Sequence, residues 1–240
     1  MRGIKNLNGQ TVKPLIITYS NINLDFGLYW YGKNGLCEKY FPGIENAFYS
    51  DDKKSVLFTH GWEVGKINQV DPYGRQGFNH ESFYYQEDNF KSAKEHNGLR
   101  TYVNHSWIDD GWNTGILQWT QFADENNLWG VEAKIWSFDG PTKSSYKYLN
   151  EDGMTEYRQW DRMLVFKGQI IEIDSIGHLM GLNVTDALKD NTSGNLRLVG
   201  HSLGSQLVCR LTRYCFENNI IVERVALLDD LKFLRAWPQN

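Results

Sequence analysis

A serine flanked by two glycines is the stretch of this sequence whose residue types best suit chemistry. Ser202 stands midway between Gly200 and Gly204 in a G-x-S-x-G pattern. A serine hydroxyl can act as a nucleophile when a sharp turn lifts it clear of the sheet, and glycines leave room for such a turn because they carry no Cβ. The pattern therefore predicts a nucleophilic serine. The alternative is a plain glycine-rich turn in which Ser202 caps the next helix.

The residues around this motif predict the elements that would hold Ser202. The short apolar run 196–199 is typical of a buried strand, and residues 208–216 have the pattern of a helix that stops at Asn218 and Asn219. Strand, G-x-S-x-G and helix, in that order, are the context that a nucleophile elbow requires. The flanking elements therefore favour the nucleophile over the plain turn.

A second feature with chemical potential is the His60-Gly61-Trp62 sequence. It follows residues 56–59, a short apolar run that predicts a buried strand. In hydrolases with a serine elbow, the loop after an early strand supplies one backbone N–H of the oxyanion hole, and Gly61 would let the backbone approach a substrate carbonyl closely. The position of this sequence, well upstream of the elbow, predicts such a loop.

Two further strands complete the predicted sheet. Residues 112–119 have the pattern of a central strand, and residues 121–129 would follow at its carboxyl edge, where open α/β sheets bind their ligands. Residues 221–230 predict a strand that ends in two acids, Asp229 and Asp230. These patterns predict an α/β fold.

The remainder of the chain is less regular, and no linker divides it. We therefore expect one domain over residues 1–240, with an irregular insertion around 63–106 and a region around 120–162 that could serve as a flap over the cleft. Within the second region, residues 133–136 and 154–160 are predicted as short strands. A helix leading to the elbow strand is predicted within 163–188 from five apolar residues, Ile170, Ile171, Ile173, Ile176 and Leu179.

Composition argues against several classes of partner. The net charge of −4 and the pI near 5.9 favour neither nucleic acid nor an anionic membrane surface. No apolar run approaches the roughly 18 residues that predict a transmembrane helix. The first nine residues lack the apolar core of a secretory signal, so we expect a soluble protein. Its compartment stays open, because secretion is compatible with an N-terminus that begins upstream.

The three cysteines predict neither a disulfide scaffold nor a metal site. Cys37, Cys209 and Cys215 are odd in number and lack the spacing of zinc ligands. Cys209 and Cys215 fall on the predicted helix after Ser202, six residues apart, which would direct them to different faces. We expect no metal and no cofactor, and the oligomeric state stays open.

Taken together, the motifs resemble those of the lipase and esterase branch of the α/β-hydrolases. In lipases of the pancreatic type, a strand ending in His-Gly is followed by a strand ending in Trp, by the Gly-His-Ser-Leu-Gly elbow, and by a strand ending in Leu-Asp-Pro. The matching positions here are His60-Gly61-Trp62, residues 115–119, residues 200–204, and Leu228-Asp229. The resemblance implies an α/β-hydrolase fold, with a mostly parallel central sheet flanked by helices.

The resemblance also implies a role for each matching residue. Ser202 would be the nucleophile, the backbone N–H groups of Trp62 and Leu203 would form the oxyanion hole, and Asp229 would orient the catalytic histidine. His60, Gly61, Gly200, His201 and Gly204 would support these residues. The implied activity is hydrolysis of a small-molecule ester or a lipid through an acyl-enzyme. An acyltransferase, and a non-catalytic binding protein that retains the elbow, are the alternatives.

The sequence departs from that family in two ways. Asp230 stands where the family has proline, so the choice between Asp229 and Asp230 stays open. The family order is serine, acid and then histidine, yet none of the six histidines follows Asp229. The resemblance therefore predicts a sequence that is incomplete at its C-terminus. Of the histidines near the motifs, His60 would stabilise its loop, and the side chain of His201 would point away from Ser202.

We expect the 240-residue chain by itself to be nearly inactive as an esterase. Without a base, binding and the oxyanion hole retain only ~10³–10⁴-fold acceleration over water. Hydrolysis of p-nitrophenyl butyrate by this chain, beside a version extended through the native reading frame, measures the difference. Ser202-dependent turnover by the short chain at an ordinary esterase rate would instead identify an upstream histidine as the base.

Overall fold

A six-stranded sheet organises the protein. The computed structural model describes residues 26–68, 83–86, 100–139, 144–150 and 152–229. The strands are β1 (Gly27–Tyr31), β2 (Cys37–Lys39), β3 (Ser55–Thr59), β4 (Tyr84–Gln86), β5 (Arg100–Tyr102), β6 (Asn113–Gln118), β7 (Ser145–Leu149), β8 (Thr155–Gln159), β9 (Met163–Phe166), β10 (Gln169–Glu172), β11 (Leu196–His201) and β12 (Val222–Leu228). The helices are α1 (His105–Asp109), α2 (Thr120–Ala123), α3 (Leu128–Trp136), α4 (Ile176–Leu188) and α5 (Gly204–Glu217).

The centre of the sheet is parallel. Its strand order is β12-β11-β3-β6-β1-β2, and the first four strands of that order run parallel, while β1 and β2 pair antiparallel at the far side. Strand β3 reads Ser-Val-Leu-Phe-Thr and is buried at four of its five residues. A near-continuous apolar run of this kind forms a strand covered on both faces, as parallel sheets require.

Three helices cover one face of the sheet. Helices α3, α4 and α5 enclose the main core, where Leu57 of β3 and Leu198 of β11 meet Met180 of α4 and Leu207 of α5. On the other face Tyr29, Tyr31 and Ile116 pack with Phe83. Burial of this apolar area is the main favourable term in folding, at about 25 cal/mol per Å². The structure is therefore mixed α/β with a mostly parallel sheet flanked by helices, as the sequence predicts.

Two predictions about secondary structure are wrong. Residues 133–136 belong to α3 rather than to a strand, because the side chain of Asn127 caps this helix by accepting the Trp129 N–H at 3.0 Å, and Val131 and Ile135 bury one face at helical spacing. The isoleucines at 170 and 171 lie in β10 rather than in a helix. A two-residue turn at Lys167 and Gly168, with φ of 51° and 78°, folds β9 back on β10.

Most other predicted elements are present with small shifts of their ends. Strands β3, β6, β8, β11 and β12 and helix α5 fall where the sequence places them. Cys209 and Cys215 are on α5, where Cys209 is exposed and Cys215 is buried.

The predicted insertion around 63–106 lies largely outside the described residues. The described parts of it include the short β4–β5 pair and the start of α1. No helix in the described part of the chain combines the length and the hydropathy that crossing a bilayer requires.

Two glycines provide a matched test of packing in this fold. A Cβ at Gly115, in the central strand β6, would lie 2.7 Å from Leu57 Cδ2 and 3.0 Å from Trp30 Cε3. We expect Gly115→Ala to lower the free energy of unfolding by about 1–3 kcal/mol, as other overpacked cores do. A Cβ at Gly130, inside α3, meets nothing within 4 Å. Gly130→Ala should therefore stabilise by about 0.5–1 kcal/mol. Urea unfolding measures both, and equal effects of the same sign would contradict this packing.

Candidate active site

Ser202 occupies a strained turn between β11 and α5. Its φ is +54°, in the left-handed region that side chains rarely adopt. The Ser202 N–H donates to Leu228 O at 2.9 Å, and Ser202 O accepts from Ser205 N at 3.0 Å, so the turn is fixed on both sides. A non-glycine residue at positive φ costs of order 1–3 kcal/mol, and such strain clusters at active sites. The backbone geometry is therefore that of a strand–serine–helix elbow.

The glycines of the motif are needed because strand, helix and loop approach closely. A Cβ at Gly200 would lie 2.5 Å from Gly204 O, and a Cβ at Gly204 would lie 2.5 Å from both Thr59 O and His60 O. These contacts are with backbone, which cannot move aside as a flexible side chain can. Both positions therefore require glycine, which explains the G-x-S-x-G pattern locally.

The helix-capping alternative for Ser202 is wrong. The N-cap of α5 is Leu203, and no side chain caps this helix. Within the described part of the chain, nothing hydrogen-bonds to the Ser202 hydroxyl. The side chain is half-buried, so the hydroxyl is available for chemistry.

The loop after β3 lies directly against Ser202. A Cβ at Gly61 would be 2.7 Å from Ser202 Cβ and 3.1 Å from Ser202 Oγ. Among the described residues, neither the Trp62 N–H nor the Leu203 N–H donates to a protein acceptor. The geometry therefore places Gly61 beside the serine, and the residue after each of the two, Trp62 and Leu203, has an uncommitted N–H. A developing oxyanion needs donors of this kind.

His60 is neutral and fully committed to the loop. Its ring is completely buried, and its Nε2 accepts the Trp119 N–H at 3.1 Å. Nδ1 must then carry the proton, which it donates to Gly61 O at 3.1 Å. Burial lowers the pKa of His60 to about 3, outweighing the hydrogen bond to Gly61, and nearby His201 lowers it further. With both nitrogens engaged, His60 has no free site to accept a proton from Ser202.

Two other described histidines lie away from Ser202. His178 stacks on Tyr214, ten residues along α5 from Gly204, which corresponds to about 15 Å of helix. His105 accepts the Asn34 N–H. It lies near the amino ends of β3 and β6, at the edge of the sheet opposite the elbow.

The remaining three histidines are His201, His80 and His96. His201 is exposed at the end of β11. His80 and His96 lie outside the described residues. No histidine in the described part of the chain therefore contacts the Ser202 hydroxyl.

Asp229 follows β12 immediately, on the other side of the elbow strand. Its neighbour Leu228 pairs with His201 and accepts the Ser202 N–H, so Asp229 stands next to the turn that carries the serine. Asp229 has a φ of +49° and is exposed. Asp230 lies outside the described residues, so the structure does not decide between Asp229 and Asp230 as the acid.

A buried charged cluster lies beside the loop after β3 and has no counterpart in the sequence predictions. Lys134 is 2% exposed and donates to Glu125 Oε1 at 2.5 Å and to Ser145 O at 2.6 Å. Burial lowers the pKa of Lys134, and the bond to Glu125 partly opposes this. Asp124, 1% exposed, pairs with Lys147 at 2.9 Å. The one feature of the sequence that points to this cluster is the position of residues 121–129, which follow a predicted strand at the carboxyl edge of the sheet.

The described residues hold no group of three or more metal-ligating side chains. Comparison of the chain with models of protein families, with curated proteins and with solved structures found no match. The function must therefore be argued from the site itself.

The burial of His60 predicts how stability depends on pH. Its folded pKa of about 3 lies below the ordinary 6.5, so only the unfolded chain takes up this proton between those values. The free energy of unfolding should therefore fall as the pH drops below 6.5, by about 1.4 kcal/mol per unit from this group. His60→Gln, which keeps an acceptor for the Trp119 N–H, should remove this component.

Unfolding midpoints across pH 4–7 measure this component. Contributions from the carboxylates are common to both proteins and largely cancel in the comparison. The control Trp119→Phe loses the indole bond to His60 O but keeps the buried imidazole. It should be less stable with an unchanged slope. A His60→Gln variant that retains the wild-type slope would show that His60 is protonated in the folded protein.

Proposed function

We propose that the protein is a serine hydrolase of carboxylic esters, of the lipase and carboxylesterase type, that works through an acyl-enzyme on Ser202. The observation that carries the proposal is the left-handed turn at Ser202 (φ +54°), with Gly61 packed against the serine. A strained serine between a strand and a helix, with a glycine peptide beside its hydroxyl, suits attack on a carbonyl carbon.

The order of the strands supports the same proposal. Strand β11 lies between β3 and β12, so the loop after β3 and the residue after β12 reach Ser202 from opposite sides. Trp62 can then supply an oxyanion donor on one side, and Asp229 an acid on the other. The arrangement is compatible with an α/β-hydrolase fold, in which the carboxyl edge of the sheet carries the site.

In the proposed reaction Ser202 Oγ attacks the ester carbonyl carbon and loses its proton to a base. The carbonyl oxygen becomes an oxyanion between the Trp62 and Leu203 N–H groups, where each donor contributes about 3–4 kcal/mol. The C–O bond to the alcohol then breaks, and the base returns the proton to that alcohol. Water repeats the sequence on the acyl-enzyme and releases the acid. The base is an imidazole oriented by Asp229 and is not His60, whose nitrogens are engaged.

One observation favours a second candidate function. No histidine among the described residues contacts the Ser202 hydroxyl. A protein that kept the elbow and lost its base would bind ligands at this edge without turning them over. The nucleophilicity of Ser202 separates the two functions, because an activated serine reacts with fluorophosphonates and an ordinary one does not.

We expect a fluorophosphonate to modify Ser202 selectively in the folded chain, and added imidazole to accelerate the reaction by replacing a base. Peptide mass spectrometry identifies the modified residue. Ser202→Ala should abolish the modification, whereas Ser137→Ala, which removes an exposed hydroxyl bonded to Asp139, should leave it unchanged. His80→Ala and His96→Ala test the two histidines outside the described residues.

The urea-unfolded chain is the reference for intrinsic serine reactivity. If Ser202 reacts no faster in the folded chain than in the unfolded one, with or without imidazole, the hydrolase proposal is wrong and the binding function replaces it.

A further inference from the structure

The loop that follows β3 is attached along its length to the segment that follows β6. At its start, Trp119 donates its backbone N–H to the His60 ring and its indole N–H to His60 O. In the middle, the Glu63 N–H donates to Ala123 O at 3.2 Å. The indole N–H of Trp62 also donates to Glu125 O at 2.6 Å. Residues 60–63 are thus held by backbone and ring contacts before the loop turns away.

Residues Gly65 and Ile67 of this loop are held by one carboxylate. Asp124 Oδ1 accepts the Gly65 N–H at 2.8 Å, and Asp124 Oδ2 accepts the Ile67 N–H at 2.9 Å. Lys147 Nζ, from β7, donates to Oδ1 at 2.9 Å. Asp124 is 1% exposed, and a carboxylate is stable at such burial only when charge and hydrogen bonds compensate for lost water. All three partners belong to other segments, so the carboxylate joins three parts of the chain.

From this geometry we propose that Asp124 is a positioning residue for the oxyanion hole. It holds the turn at Gly65 and Ile67 and thereby keeps the Gly61–Trp62 peptide in place beside Ser202. The proposal rests on the hydrolase function proposed above. Trp62 lies between two fixed points, His60 at one end and Gly65 at the other. The bonds from the Glu63 N–H to Ala123 O and from the Trp62 indole to Glu125 O also restrain this stretch. Release of Gly65 and Ile67 therefore loosens the Gly61–Trp62 peptide without detaching it, because a glycine opposes rotation only weakly.

Lys147 acts by neutralising the carboxylate rather than by shaping the loop. Burial lowers the pKa of Lys147, but the hydrogen bond to Asp124 and the charge of Asp124 outweigh burial and raise it. The lysine therefore stays charged at neutral pH and balances the charge of Asp124. Lys147 also ties β7 to the segment after β6, and the Tyr157 hydroxyl of β8 adds a second link by donating to Glu125 Oε2 at 3.1 Å.

Asp124→Asn tests the proposal, with Asp186→Asn as its matched control. Asp186 is also a buried carboxylate, 4% exposed, which Tyr40, Lys167 and Lys189 contact away from the elbow. The amide in Asp124→Asn offers one acceptor and turns an N–H₂ group towards the other donors. We expect it to slow fluorophosphonate modification of Ser202 about 10–100-fold, whereas Asp186→Asn stays within about 2-fold of the wild type. Both should lower the unfolding midpoint.

Amide hydrogen exchange tests the same proposal without any reaction at Ser202. In Asp124→Asn the amides of Gly65 and Ile67, which lose the carboxylate, and of Glu63, which donates to Ala123 O, should exchange faster than in an Asp186→Asn variant of equal global stability. If wild-type Ser202 is unreactive, the hydrolase proposal fails, and exchange alone then decides whether Asp124 holds the loop. Unchanged exchange at these three amides would overturn the positioning role.

A second variant keeps the test decisive if Asp124→Asn leaves Lys147 unpaired and fails to fold. Asp124→Asn/Lys147→Gln replaces the ion pair by two amides of similar size and leaves no unpaired charge. It should fold and still show slow modification of Ser202 and fast exchange of the loop amides. Equal slowing by the double variant and by Asp186→Asn would mean that Asp124 contributes to stability alone, contrary to the proposal.

Discussion

The site depends on one steric constraint, the close approach of three backbone segments around Ser202. The loop after β3, the end of β11 and the start of α5 meet at Gly61, Gly200 and Gly204, where any Cβ would lie within 2.7 Å of a neighbouring atom. Only glycine permits this packing, and the packing in turn holds Ser202 at a positive φ. The strain is therefore balanced by the apolar core beneath, which fixes strand and helix in place.

Because this contact fixes the elbow, the neighbouring strands determine what surrounds it. Parallel strands end at one edge of a sheet, so the residues after β3 and β12 necessarily flank the turn after β11. The loop from β3 needs further support, since it leaves the sheet without secondary structure of its own. The segment after β6 provides that support through Trp119, Ala123 and Asp124, which is why a buried ion pair lies next to the proposed site.

The sequence predicts the parts of the structure that local patterns encode. The G-x-S-x-G motif, the apolar run before it and the His-Gly pair each depend on neighbouring residues, and they locate β3, β11 and α5 well. Helix α3 was missed because its alternation resembles a strand, and only burial of Val131 and Ile135 reveals its helical face. The Asp124–Lys147 pair joins residues 23 positions apart on different elements, and no spacing rule encodes such a contact.

The histidines show why residue type alone is a poor guide to a catalytic base. His60 is adjacent to the glycine that contacts Ser202, and proximity alone would make it an attractive base, although the sequence predicts that it stabilises its loop. Its surroundings exclude that role, because a backbone N–H occupies Nε2 and a carbonyl occupies Nδ1. A base must offer a free lone pair and a pKa near neutrality, whereas burial moves the pKa of His60 to about 3. In the proposed hydrolase His60 would therefore act only by shaping the loop, and the proton of Ser202 would need a different acceptor.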